Sequence, residues 1–506
     1  MGFLTELEGK KLPMAASQLA LDDLMVSDFM KRIFAPHTAG QVFEWEKYLT
    51  ANSADIVYRR EVLKELAACP ALIEKMKGLC ACINMITRLK DEHMSSEYGP
   101  EAFREFGIMR EAYDQMKEMQ ESLQILMEDG TVASRGLVKM CEMLREKLHN
   151  NFCDSFPQDW DTMTSGMEKI GSMTLRFTLD DEMHVQGASI VALHKQKYSK
   201  GGFLQWKKEM MHTEHPWELN ALKEMTTPTE ELLGDELRFN QRQFYQRLYR
   251  MTLDLDDLYQ DLIFYLGALE YCSKMAEAGV SLCLPQILPM EHKGYVARNM
   301  INPVLVIMNP SKKPVPNDVD FRKGGEIFLL TGINQGGKTT FLRTVGTIQV
   351  LFQLGWPVPA TEASISLVDK IVTVFSHEEN TALQHGKLGQ ELKTMKQGME
   401  EATVDSLLLC NEPITGTSPM ENLYLSRVVL TSCKVNGYKG IWVTHLYDLA
   451  NRAQAMNEEL PGSTISSLVA RAVERGNTVD ASYRIERGNP AFTSYAREVM
   501  RKEASL

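Results

Sequence analysis

One eight-residue spacing constrains this chain first: Gly332, Gly337, Lys338 and Thr339 fit the pattern G-x-x-x-x-G-K-[ST]. Four apolar residues, Ile327-Phe328-Leu329-Leu330, precede it, and Phe341, Leu342 and Val345 follow at helical steps. The reading is strand, glycine loop, helix. Glycines let the loop curl so that successive N–H groups point at an anion, and the helix start adds its positive end there. Lys338 is then placed for the β- and γ-phosphates of a nucleotide, and the Thr339 hydroxyl for Mg²⁺.

A phosphate loop needs an acidic partner at the end of a neighbouring strand. Leu407-Leu408-Leu409-Cys410-Asn411-Glu412 has that shape, with Glu412 a candidate base for water. Asn411 stands where such strands carry aspartate; an amide can order metal-bound water but adds no negative charge. Gly440-Ile441-Trp442-Val443-Thr444 is a third strand, and His445 at its end is placed for a γ-phosphate or its water. From 326 onward, expected strands at 326–331, 366–375, 405–411 and 440–444 alternate with expected helices at 338–353, 389–402, 419–434 and 446–456. That alternation predicts an α/β sheet.

Residues 1–300 read as mostly helical. Apolar residues recur at three- and four-residue steps, as in Val62, Leu63, Leu66, Leu72, Ile73 and Met76. Asp55 is a candidate N-cap, Cys69-Pro70 a break, 101–128 and 134–151 amphipathic helices, and 230–278 one long helical pattern ending near Gly279. A small β element is expected within 172–194, with a turn at Asp180-Asp181. Residues 284–289 read as a linker and Val304–Met308 as a strand. Lysines and aromatics interleave over 194–208, a pattern suited to nucleic-acid phosphates, but the stretch is short and flanked by Glu209 and Glu214, which favours a solvated loop.

With 506 residues the chain exceeds one ordinary core. Its 55 basic and 67 acidic side chains give a net charge of −12, which argues against a generally basic nucleic-acid coat without excluding a local groove. Nine cysteines without a C-x-x-C pair read as reduced thiols, and no signal peptide or apolar run of membrane-spanning length is evident; a cytoplasmic protein with no membrane partner is expected.

Several stretches together resemble the MutS DNA mismatch-repair family: TGINQGGKTT (331–340), VPATEASISLVDKI (358–371), NEPITGTSPME (411–421) and VTH (443–445). Pro316-Asn317-Asp318-Val319 is similar to the segment leading into that family's phosphate loop, and Thr493-Ser494-Tyr495-Ala496 to the segment closing its ATPase domain. The resemblance covers about 290–500 and continues more weakly over 17–285. It implies a multidomain chain, with a mostly α-helical core and lever region (1–290) followed by an α/β P-loop, ABC-like ATPase domain (291–506).

The resemblance further implies that Gly332, Asn334, Gly336, Gly337, Lys338, Thr339 and Thr340 bind ATP. Thr339 and Glu412 would attend the Mg²⁺, Glu412 would be the hydrolytic carboxylate, and His445 the switch histidine. In that family each ATP is shared between two subunits, which places Thr417, Ser418 and Glu421 in a loop crossing a homodimer interface. Departures accompany the likeness. No mismatch-reading or connector domain and no Phe-x-Glu wedge is recognisable, Gly386 beside Lys387 falls where the family's signature loop has serine, and Asn411 replaces aspartate. The expected function is an ATP-hydrolysing, DNA-binding clamp acting in repair or recombination. The alternatives are an ATP-binding switch for protein partners and a slow ATPase that mainly holds its nucleotide.

Overall fold

The computed structural model describes residues 14–38, 40–93, 102–151, 170–179, 185–195, 234–311, 314–321, 326–376, 386–475 and 478–488. It comprises two compact units, Lys64–Leu266 and Leu4–Leu63 with Gly267–Leu506. The described helices are α1 (Gln18–Asp23), α2 (Val26–Phe34), α3 (Ser53–Ala68), α4 (Pro70–His93), α5 (Ala102–Glu128), α6 (Arg135–Asn151), α7 (Gly234–Glu277), α8 (Pro303–Met308), α9 (Lys338–Leu354), α10 (Lys387–Glu401), α11 (Pro419–Val435), α12 (Tyr447–Asn451) and α13 (Ala453–Glu459). The strands are β1 (Ala15–Ala16), β2 (Ile170–Leu179), β3 (Val185–Lys195), β4 (Gln286–Leu288), β5 (Tyr295–Met300), β6 (Asn317–Phe321), β7 (Glu326–Gly332), β8 (Glu362–Ser366), β9 (Lys370–Phe375), β10 (Leu407–Asn411), β11 (Lys439–Val443), β12 (Thr464–Arg475) and β13 (Thr478–Arg487).

In the unit Lys64–Leu266, α5 packs against α4 and α6. Leu72, Met76, Leu79 and Ile83, then Met116, Met119 and Leu123, then Leu137, Met140 and Leu144, are buried at three- and four-residue steps. Pro70 opens α4, where its missing N–H leaves no hydrogen bond unmade. The Glu65 carboxylate accepts from the N–H groups of Ala133 and Ser134 at 3.0 and 2.9 Å, satisfying donors just before α6. β2 and β3 pair antiparallel, as their alternating pattern predicts. The turn expected at Asp180-Asp181 lies outside the described residues, as do 196–208 of the basic–aromatic stretch and Thr493–Ala496.

The other unit is built on a seven-stranded sheet in the order β1-β9-β10-β11-β7-β12-β13, parallel except for the last pair. A four-stranded sheet, β4-β8-β5-β6, accompanies it. Buried on the first sheet is α9, whose residues from Thr344 to Leu354 are all enclosed. Gly346 makes this possible: a Cβ there would lie 2.6 Å from Leu24 and 2.9 Å from Leu409, so side chains of the N-terminal segment and of β10 both close on the helix at this point. The buried amide of Gln353 in α9 is paired on both its atoms. Gln353 donates to Thr50 O and Val368 O, both at 2.9 Å, and accepts from Val368 N–H at 3.1 Å.

Four sequence expectations change here. Val304–Met308 is helix rather than strand, because Pro303 suits the first helical turn and Asn302 Oδ1 accepts from Leu305 N–H at 3.1 Å. The stretch 366–375 is two strands in two sheets, β8 and β9, divided at Leu367-Val368-Asp369. The linker expected over 284–289 contains β4, which pairs with β8. The capping oxygen before α3 is Asn52 Oδ1, which accepts from Ala54 N–H, while Asp55 accepts the Thr50 hydroxyl at 2.9 Å. Residues 14–63 and those from 267 onward fall in the unit that carries the glycine loop.

Candidate functional site

β7 delivers the loop, β10 delivers Asn411 and Glu412, and β11 delivers His445. The register pairs Leu330 with Val443 and Val443 with Asn411, so the three strands end level. Backbone bonds extend the ladder past the strand ends: Thr444 N–H donates to Leu330 O and Glu412 N–H to Val443 O, both at 3.0 Å. All three features therefore share one carboxyl edge of the sheet, where α/β sheets place ligands.

The loop folds as its glycines require. Gly332 has φ 127°, and a Cβ on it would meet Ala470 O at 2.7 Å; Gly337 has φ 87°. Lys338 is buried, and its Nζ donates to Gly332 O and Ile333 O at 3.0 Å each. Burial pushes its pKa below the ordinary lysine value, against the opposing charge of Glu412. Thr339 Oγ1 donates to Asn411 Oδ1 at 3.1 Å. Of the two carboxyl-end residues, Asn411 is the one that faces Thr339.

Glu412 is held differently. Its backbone is left-handed, φ 47°, a conformation uncommon for a residue with a side chain. Its Oε1 lies 2.7 Å from His445 Nε2. That hydrogen bond lowers the Glu412 pKa below the usual carboxylate value; burial opposes it, and the charges of His445 and Lys338 act in the same direction as the bond.

These groups line a cavity of about 570 Å³. Asn334, Gly336, Gly337, Lys338, Thr339 and Thr340 form its floor, and Glu412 and His445 one wall; Gly332 lies beneath, as the acceptor for Lys338. A further part of the lining, which sequence reading missed, is Met300, Leu305, Val315 and Tyr483. Its residues come from β5, α8, a loop and β13. The only local signal was the similarity of 316–319 to a lead-in segment. Asn317 there bonds both Tyr483 O (2.9 Å) and Ile485 N–H (2.7 Å), and so joins β6 to β13.

Thr417, Ser418 and Glu421 are absent from the cavity lining. They cap α11: Ser418 accepts from Glu421 N–H at 3.4 Å, and the hydroxyls of Thr417 and Ser418 donate to the Glu421 carboxylate. Gly386 precedes α10, and Glu391 on that helix accepts from Thr415 N–H (2.9 Å), Thr415 Oγ1 (2.6 Å) and Gly416 N–H (2.8 Å). The strand-end loop after Glu412 is thereby pinned to the first turns of α10.

The family comparison agrees with this architecture. Residues 328–504 match the model for MutS domain V, and residues 51–278 the model for the MutS2 N-terminal domain. The chain belongs to the MutS family. This MutS-family chain is 30% identical over 212 residues to the DNA mismatch repair protein MutS of Brevibacillus brevis, covering 42% of the chain and 24% of the relative. It is 33% identical over 189 residues to that of Sorangium cellulosum, covering 37% and 20%. The similarity to that of Chlorobium limicola is longer and lower, 26% over 488 residues, 91% of this chain and 50% of the relative. This MutS-family chain thus spans half or less of the length of these relatives. Among its described residues, no helix is long and apolar enough to cross a membrane.

Proposed function

We propose that this MutS-family chain binds and hydrolyses ATP in the cavity on Lys338, and that ATP closes a homodimer around DNA. The observation that carries the reading is the convergence of Lys338, Thr339, Glu412 and His445 on one cavity, with Asn411 bonded to Thr339. Lys338 and the loop N–H groups take the phosphates, and the apolar wall of Met300, Leu305, Val315 and Tyr483 faces the base and ribose. Glu412, ionised and oriented by His445, accepts a proton from the attacking water. Two hard oxygens, Thr339 Oγ1 and Asn411 Oδ1, fit Mg²⁺, which when bound neutralises charge on the β- and γ-phosphates.

The division of labour follows the chain: the helical region up to about residue 290 engages DNA, and the remainder binds nucleotide and dimerises. Thr417, Ser418 and Glu421 reach the partner's nucleotide only in the dimer. DNA enters by way of the matched relatives, which are named for DNA mismatch repair, and a second copy by way of the resemblance over residues 411–421. Gel filtration and salt-dependent DNA titration, each with and without ATP, test the reading on wild type and Glu412→Gln. ATP-dependent dimerisation and DNA retention, prolonged in Glu412→Gln, are expected. Absence of binding to duplex, branched or single-stranded DNA at low salt would remove the DNA half.

A second reading has its own support. Asn411 brings no charge to the cation, and Glu412 is already engaged by His445. Both favour a chain that mainly holds ATP as a slow switch, with protein partners in place of DNA. Steady-state turnover separates the two readings.

A further inference from the structure

We infer that Thr339 and Asn411 form an uncharged cation subsite, so that a divalent metal arrives only as a complex with the nucleotide's phosphates and adds little to nucleotide affinity. This deepens the nucleotide reading above and rests on it. The two side chains meet at 3.1 Å, from the first turn of the buried helix α9 and the last residue of the buried strand β10, so their placement is fixed by the core. Both offer oxygen, which suits a hard dication, but neither offers charge. Phosphate-loop proteins pair the hydroxyl with an aspartate at this place.

The one carboxylate that the described residues bring to the cavity lining, Glu412, is engaged elsewhere. The Glu412 carboxylate lies 2.7 Å from His445 Nε2 and is also under the influence of Lys338. Among the described residues, no group of three or more His, Cys, Asp or Glu side chains is arranged to hold a metal. The negative charge that retains a dication here therefore comes from the phosphates themselves. Meanwhile the positive charge that retains the phosphates, Lys338 and the N–H groups of the loop, is present without metal. Metal-free ATP and Mg·ATP should bind alike.

The test is a titration of the full chain with a fluorescent ATP analogue, in EDTA and in rising MgCl₂. Wild-type affinity in EDTA is expected within about threefold of that in MgCl₂, whereas Asn411→Asp, which adds a charge beside the cation, should bind about tenfold tighter with Mg²⁺ than without. A wild type that binds about tenfold or more weakly in EDTA than in MgCl₂ would overturn the inference and leave the nucleotide reading standing. No binding of the analogue in either condition would overturn both. Should Asn411→Asp fail to fold, the wild-type ratio decides alone.

Discussion

His445 Nε2 and Glu412 Oε1 meet at 2.7 Å, from the ends of two adjacent parallel strands. Neither lies near the other in sequence, and Glu412 has a left-handed backbone, φ 47°, where the chain leaves β10. The hydrogen bond favours the ionised carboxylate, so the base stays charged below the pH at which a free glutamate protonates. Glu412→Gln is expected to lower ATP turnover by about 10²- to 10⁴-fold while leaving nucleotide affinity in place. In His445→Ala the acidic limb of the pH–rate profile should move upward, toward the ordinary carboxylate value. An unmoved limb would separate His445 from the ionisation of Glu412.

Lys338 is buried, and its Nζ donates to two carbonyls of its own loop. Lys338→Ala should weaken ATP binding by roughly 10- to 100-fold, the range for a lost charge-assisted hydrogen bond. Isothermal titration measures this directly, and unchanged affinity would remove the site assignment.

Gly346 has no room for a side chain. A Cβ would lie 2.6 Å from Leu24 Cδ2 and 2.9 Å from Leu409 Cδ1, side chains of two separate segments. Gly346→Val is therefore expected to destabilise the unit by about 1–3 kcal/mol or more through overpacking, despite the gain in apolar surface. Thermal unfolding of the variant checks it. A rise in Tm would mean that the N-terminal segment is not pressed against the helix.

Lys439 opens β11 with 1% exposure, and its Nζ has no hydrogen-bond partner among the described residues. Burial lowers its pKa to about 7, against the raising effect of Asp405 and Asp369 and with the lowering effect of Lys293. The unfolded chain then holds this proton up to a higher pH than the folded one. Stability should accordingly rise as pH climbs from about 7 toward the ordinary lysine value, and be lowest, for this group, below about 7. Lys439→Met should be more stable at pH 7 and show a flatter rise between pH 7 and 10. Denaturant melts across that range test the sign, and an identical slope in both proteins would contradict it.

Much of the candidate site was legible in the chain because its parts are local. A glycine loop between a strand and a helix, and a strand ending in Asn-Glu or Thr-His, each announce themselves within about ten residues. Element types were legible for the same reason. Where they were not, a short-range rival decided: Asn302 and Pro303 start a helix in a run of β-branched residues that reads as a strand. The wall of Met300, Leu305, Val315 and Tyr483 was not legible, because its residues come from four separate segments and share no spacing.

Sequence alone determined that this chain carries a glycine loop between a strand and a helix of an α/β sheet, since periodicity and loop chemistry act over a few residues. Only the tertiary structure decided which strand end stands beside which. Strand order β10-β11-β7 sets Asn411 against Thr339 and Glu412 against His445, and long-range pairing of parallel strands leaves no trace in local pattern. So the residues of the site were readable one by one, while their partnerships, which govern charge at the cation and ionisation of the base, belong to the fold.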